Sequence, residues 1–185
     1  MNKKLFAAVL GMALVLPVAA QAEGTYVKLG VGQSVYSDFT DSGEKFSELK
    51  PTGMQIGVGY SLDKTWDVEA GYIHFGKGTG TISGAGPDTP YTLQTQSIYL
   101  AGIGNYAFTD AFSAFGKLGL AVNHSKGKVD GGNATQTKTQ ALIGAGLSYQ
   151  FTKEIAGLVD YTYYGKVSDA DFNLSLLSVG LRYNF

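Results

Sequence analysis

From Gly53 onward apolar and small or polar residues alternate strictly: Met54, Ile56, Val58, Tyr60 and Leu62 fall on one face, and Gly53, Gln55, Gly57, Gly59 and Ser61 on the other. Successive side chains of a β-strand point to opposite faces, so this period of two predicts a strand with one apolar side. The pattern recurs as Val27, Leu29, Val31 and Val35 against Lys28, Gly30, Gly32 and Ser34, and as Trp66, Val68, Ala70 and Tyr72 against Asp67, Glu69 and Gly71. Further on, Phe112, Ala114, Leu118, Leu120 and Val122 alternate with Ser113, Phe115, Lys117, Gly119 and Ala121. Ala141, Ile143, Ala145, Leu147, Tyr149 and Phe151 do the same against Gln140, Gly144, Gly146, Ser148 and Gln150. The last strand sets Leu177, Val179, Leu181, Tyr183 and Phe185 against Ser178, Gly180, Arg182 and Asn184. Two more strands, Ile98–Phe108 and Ile155–Tyr164, bring the expected number to eight, with Gly on both sides of Ile98–Phe108 leaving its facing open. Eight strands close into a small barrel.

An internal repeat sets the register of this pattern. Tyr60-Ser-Leu62-Asp-Lys-Thr-Trp66, Tyr106-Ala-Phe108-Thr-Asp-Ala-Phe112 and Tyr149-Gln-Phe151-Thr-Lys-Glu-Ile155 share one form, and Tyr183-Asn-Phe185 repeats its opening. Each places an aromatic at the end of an apolar face beside a tight polar turn. Tyr60, Trp66, Tyr106, Phe108, Phe112, Tyr149, Phe151, Tyr183 and Phe185 are therefore expected to form one girdle, where an amphipathic ring suits a membrane interface. Four longer polar connections are predicted between these turns: Ser37–Lys50, Gly76–Thr92, Ser125–Thr135 and Gly165–Asp171.

Composition narrows the class. Charged residues make up only 16% of the chain and 26 of its 185 residues are Gly, against about 25% charge and about 7% Gly in an ordinary soluble domain. The net charge of −1 and the lack of any Lys or Arg run exclude a basic nucleic-acid binder, and the absence of Cys excludes disulfides and thiolate chemistry. Residues 1–22 read as a secretory signal: Lys3 and Lys4, the apolar run Leu5–Val18, and the small-residue site Ala20-Gln21-Ala22. That run is shorter than the ~20 residues a spanning helix needs. Residues 23–185 then form a single domain.

The polarity of the two faces decides what they meet. A soluble barrel would turn its apolar face inward and leave the aromatics in water, at about 25 cal/mol per Å² of apolar surface. Eight strands leave a lumen just wide enough for side chains to fill, so the Gly-rich face with its few long charges packs inside and the Val, Leu, Ile and Tyr face meets lipid. Lys28, Asp67, Glu69, Lys117, Asp160 and Arg182 lie on the inward face, three of each sign. Unpaired charge in a narrow lumen is costly, so mutual pairing is expected. His74 and His124 continue outward faces near the headgroup level. His124 and Ser125 are adjacent and would point to opposite faces, so they make a poor catalytic pair.

The residues Thr25-Tyr26-Val27-Lys28-Leu29-Gly30, Val68-Glu69-Ala70-Gly71-Tyr72, Tyr106–Asp110 with Lys117-Leu118-Gly119, Phe151–Ala156, and Leu176–Phe185 together resemble the eight-stranded transmembrane domain of the OmpA-type outer-membrane proteins. The resemblance implies an all-β, antiparallel up-and-down barrel in the bacterial outer membrane. It also implies an interior plugged by salt bridges, with Lys28, Glu69 and Lys117 at matching positions. Ser148 and Leu158 stand where the family can carry Glu and Arg, so its pairing scheme does not transfer. Larger members continue into a periplasmic peptidoglycan-binding domain; this sequence stops at Phe185, so tethering to the cell wall through that domain is not carried over. The expected function is a structural or surface-recognition role through the long loops, without catalysis, metal or cofactor. The expected partners are outer-membrane lipid and lipopolysaccharide, the barrel-assembly machinery reading the C-terminal strand, and a host or surface ligand at the loops, with no nucleic acid and a monomeric state. The alternatives are a narrow porin or ion path and, behind it, a lipid-modifying barrel enzyme.

Overall fold

A computed structural model describes residues 24–37, 40–41, 44–46, 49–83, 89–129, 132–167 and 172–185. The proposed signal residues lie outside this set. Ten strands follow in chain order: β1 (Thr25–Ser37), β2 (Thr40–Asp41), β3 (Glu44–Phe46), β4 (Thr52–Ser61), β5 (Trp66–Ser83), β6 (Thr89–Ala107), β7 (Phe112–Val129), β8 (Gly132–Gln150), β9 (Ile155–Val167) and β10 (Phe172–Asn184). Eight of them, β1 and β4 to β10, form the barrel. Each pairs antiparallel with its sequence neighbour and β1 pairs with β10, so the sheet closes. Closure leaves the membrane-level strands without a free edge, which hydrocarbon could not satisfy.

The three repeated turns are built alike. In each, a side-chain oxygen of the first turn residue accepts two backbone N–H bonds: Asp63 from Thr65 and Trp66, Thr109 from Ala111 and Phe112, and Thr152 from Glu154 and Ile155. The residue before the clamp donates its N–H across the turn in all three, as Leu62 to Trp66, Phe108 to Phe112 and Phe151 to Ile155. Asp and Thr hold turns by this local bonding, which is why they occupy the same place in each repeat.

The outward face carries an unbroken apolar band from these turns upward. On β7 it runs from Phe112 to Val122, about 33 Å of strand, which at the usual tilt spans about 25 Å along the membrane normal. Leu118, Leu120, Ile143, Val179 and Leu181 are all more than half exposed within it, as lipid-facing residues must be. Polar residues end the band together: Gln33, Thr52, His74, Gln96, His124 and Thr139. The facing of β6, open from sequence, is settled by Tyr99, Ala101 and Ile103 pointing in and Leu100 and Tyr106 pointing out.

The expected connections are shorter than the sequence suggested. β5 continues to Ser83 and β6 begins at Thr89, and β7 and β8 reach Val129 and Gly132, so most of the expected loops Gly76–Thr92 and Ser125–Thr135 are strand. Within Ser37–Lys50, β2 and β3 form, and β3 pairs with the upper end of β5. Beyond the lipid both faces of a strand meet polar surroundings, so the alternation fades while backbone pairing continues.

Candidate functional site

The lumen is the place where the sequence concentrates costly chemistry, and its turn-side half holds all six predicted charges. Lys117 Nζ lies 2.8 Å from Glu69 Oε1, Lys28 Nζ 3.2 Å from Asp160 Oδ1, and Arg182 Nη1 2.8 Å from Asp67 Oδ2. Every predicted charge thus has a partner of opposite sign. The pairs tie strands that are not neighbours: β5 to β7 across β6, β1 to β9 across β10, and β10 to β5.

Hydrogen bonds complete each carboxylate. Glu69 also accepts from the hydroxyls of Tyr99 at 2.7 Å and Tyr26 at 3.1 Å. Asp160 accepts from Ser178, Thr162 and Gln55, and Asp67 from Asn105. Arg182 further donates to Ser61 and Asn184 and lies 3.6 Å above the centroid of the Tyr26 ring. Paired and fully hydrogen-bonded charge is the form in which a low-dielectric interior tolerates ions. Ile103, Phe115 and Leu158 pack beside the pairs. The space left between Glu69, Ser148, Leu158 and Arg182 is about 30 Å³, room for one water by volume. Below it a polar vestibule of about 230 Å³, lined by Asp63, Lys64, Gln150 and Asn184 among others, opens at the turn end.

Tyr26 and Tyr99 belong to this site and were not singled out in the sequence. Their rings need glycine opposite them: a Cβ on Gly59 would stand 2.1 Å from Tyr26, and one on Gly71 2.5 Å from Tyr99. A glycine in register with an inward aromatic is the available signal, but it is read only once the register is known.

The upper half of the lumen departs from the expected small and polar interior. Ile73, Phe75, Leu142, Tyr164, Leu174, Leu176 and Tyr36 form one buried cluster with Leu49, Tyr91 and Leu93. Phe75 meets Tyr164 edge to face at 5.1 Å, and Tyr164 meets Tyr99 at 6.4 Å, so Tyr99 joins the two halves. Some polar groups here bond among themselves: Ser97 donates to Asn123, Asn123 to the Tyr164 carbonyl, and Thr95 pairs with Ser125. The inward-only-polar expectation is therefore corrected. Among the described residues no charged side chain is buried at this level, and apolar volume fills the lumen instead.

The nine predicted girdle aromatics all stand exposed at the turn end, from Phe112 at 37% to Tyr106 at 68%. They pair along the strands, Tyr106 with Phe108 at 5.2 Å, Tyr149 with Phe151 at 5.3 Å and Tyr183 with Phe185 at 4.9 Å, and Phe108 stacks on Phe112. His124 faces out and contacts Thr137, whereas Ser125 is buried in the lumen, so the two share no face.

A closed eight-stranded barrel with a lipid-facing apolar band, an aromatic girdle and ion pairs in its lumen defines a transmembrane barrel of the bacterial outer membrane. The family described as outer membrane protein beta-barrel domain matches residues 5–185, and the chain belongs to it. Outer membrane protein A of Salmonella typhi is 26% identical over 192 residues, covering 96% of this chain and 53% of that protein. The chain thus spans about half the length of that curated relative. In fold it is similar to the Neisserial surface protein A (20% identity, TM-score 0.65, covering 88% of this chain and 98% of that one). It is also similar to Ail, the attachment invasion locus protein of Yersinia pestis (19% identity, TM-score 0.60, covering 89% and 100%). Ail has also been solved in complex with the heparin analogue sucrose octasulfate.

Proposed function

We propose that this barrel is a monomeric, non-catalytic scaffold of the outer membrane whose work is structural and surface contact at its extracellular end. The observation that supports the reading is the lumen, where three complete ion pairs lie below a cluster of buried apolar side chains. The six lumenal charges are then a plug, and the strands that rise past the lipid and their connections are the contact surface. Ail, similar in fold, is named for attachment and invasion, and a host or surface ligand at the extracellular end fits that likeness. The test is conductance in planar bilayers. The folded chain should leave the bilayer silent, and discrete steps would favour the narrow porin.

Phe185 has a proposed second role. Its N–H donates to the Thr25 carbonyl at 3.0 Å and its ring packs on Tyr183, contacts worth about 1.5 to 3 kcal/mol. As the terminal aromatic of an alternating strand it would also be read by the barrel-assembly machinery. Deleting Phe185 should therefore cut the amount of protein in the outer membrane far more than it lowers stability after refolding in detergent. Proportional losses would leave Phe185 as a girdle residue alone.

A further inference from the structure

Where the strands reach the three turns, the inward positions are small: Ser61, Ala107, Ser113, Ser148 and Ala156. Ile103, Phe115 and Leu158 fill the next level up, so the lumen widens below them into the polar vestibule of about 230 Å³. Drug-sized pockets begin near ~300 Å³, which limits an occupant here to one small molecule. Of the three lumenal ion pairs, only Arg182 and Asp67 stand in the vestibule wall.

That pair is held in place without being used up. Arg182 rests 3.6 Å from the Tyr26 ring centroid, and its Nε and Nη2 donate to Asn184 and Ser61. Asn105 donates its amide to Asp67 and to the Thr65 carbonyl, and Gln150 donates to the carbonyls of Thr152 and Lys153. The wall is thus tied to the turn backbone before any ligand arrives, which lowers the ordering cost of binding. Both bonds that reach Asp67 end on Oδ2, and Arg182 spends three of its five N–H groups on these partners. Asp67 Oδ1 and two guanidinium N–H groups are left as acceptor and donors side by side.

The charges that line the vestibule balance: Asp63 and Asp67 against Lys64 and Arg182. A lone cation or anion would bring uncompensated charge into this partly desolvated space, whereas a zwitterion carries its own compensation. An α-amino acid bears its ammonium and carboxylate on one carbon, and Arg182 Nη1 and Asp67 Oδ2 stand 2.8 Å apart. The two dipoles therefore match head to tail. We propose that the periplasmic mouth of the barrel binds one free α-amino acid, its carboxylate on Arg182 and its ammonium on Asp67 Oδ1. Charge-assisted hydrogen bonds at both ends of the ligand supply the recognition. The inference goes beyond the scaffold reading and does not depend on it, since a silent barrel and a conducting one would have the same mouth.

An NMR titration of the isotope-labelled, folded barrel in detergent micelles tests it, with L-alanine as the probe and acetate, ethylamine and ε-aminocaproate as controls. L-Alanine should shift the side-chain amide signals of Asn105 and Gln150 saturably, and it should raise the urea midpoint as a ligand of the folded state does. Acetate and ethylamine carry one charge each, and ε-aminocaproate holds its two charges a long chain apart; each should bind at least tenfold more weakly. Arg182→Met should abolish the shifts. Ser113→Phe, which fills the vestibule and leaves the ion pair untouched, should abolish them too and keeps the test open if the first variant does not fold. A heat-shifted gel mobility identifies the folded variants. Signals that stay unmoved by L-alanine, or equal binding of acetate or ethylamine, would overturn the site. Shifts that survive Ser113→Phe would also overturn it, by placing L-alanine outside the vestibule.

Discussion

The two halves of the lumen solve one packing problem in different ways. Toward the periplasm, Lys117, Glu69, Lys28, Asp160, Arg182 and Asp67 fill the barrel with ion pairs whose desolvation is offset by close partners. Toward the outside, Ile73, Phe75, Leu142, Tyr164 and Leu174 fill it with volume alone. The first solution depends on identity, since each charge is tolerable only because one particular partner is present. The second depends on shape. Losing a partner in the charged half leaves a buried ion, whereas losing a methyl group in the apolar half leaves a hole.

That contrast can be broken experimentally, and the largest effect is expected at its charged end. Lys117→Met should destabilise the barrel by about 3 to 5 kcal/mol because Glu69 stays buried without its cation. Adding Glu69→Gln should recover a good part of the loss, and urea unfolding in bilayers measures both; strictly additive losses would show that the two are not coupled. Leu142→Ala in the apolar half should cost about 2 to 5 kcal/mol as a cavity. Combined with Lys117→Met, its effect should depart from additivity by more than about 0.5 kcal/mol, because the Lys117 ammonium lies over the Tyr99 ring and Tyr99 belongs to the same buried cluster as Leu142. Additivity within that margin would mean that Tyr99 does not transmit between the halves.

A third test compares inside with outside at one height on β7. Leu120→Arg should cost about 2 to 4 kcal/mol in lipid, whereas Ala121→Leu, which overfills the apolar half, should cost about 1 to 3 kcal/mol. Equal tolerance of Arg at both positions would contradict the assigned faces. The smallest effect is expected at the periplasmic mouth. The Arg182 side chain keeps 20% exposure, so Arg182→Met should cost about 1.5 kcal/mol, and the loss should shrink as salt rises. A salt-insensitive loss as large as that of Lys117→Met would place Arg182 inside the dry plug.

The charged half was legible in the sequence and the apolar half was not, for a reason visible in β5. At Asp67, Val68 and Glu69 the polarity contrast is complete, so period two assigns each side chain its face. At Tyr72, Ile73, His74 and Phe75 both faces carry large, largely apolar groups, and the contrast disappears. Leu174, Leu176 and Leu177 on β10 fail for the same reason. The bulges at Gly76 on β5 and at Gly165 on β9 then shift the parity, which no alternation rule anticipates. Pairing partners were also beyond reach. Six inward charges could be named from alternation, but that Arg182 meets Asp67 follows only from the order in which β10, β1, β4 and β5 lie around the barrel.

The three clamped turns carry a consequence for how such a barrel changes size. Each hairpin closes through its own Asp or Thr and its own cross-turn bond, and the last turn residue also accepts a backbone N–H from the next hairpin, Asn105 to Thr65, Gln150 to Ala111 and Asn184 to Glu154. The hairpin is therefore a repeated module docked on its neighbour by the same bond each time, and a change in circumference that keeps this architecture must come two strands at a time. Such a step would leave the remaining turns intact and would instead break the lumenal pairs, whose partners sit a fixed number of strands apart. The size of the ring is held from within, by the distances that Lys28, Glu69 and Arg182 can reach.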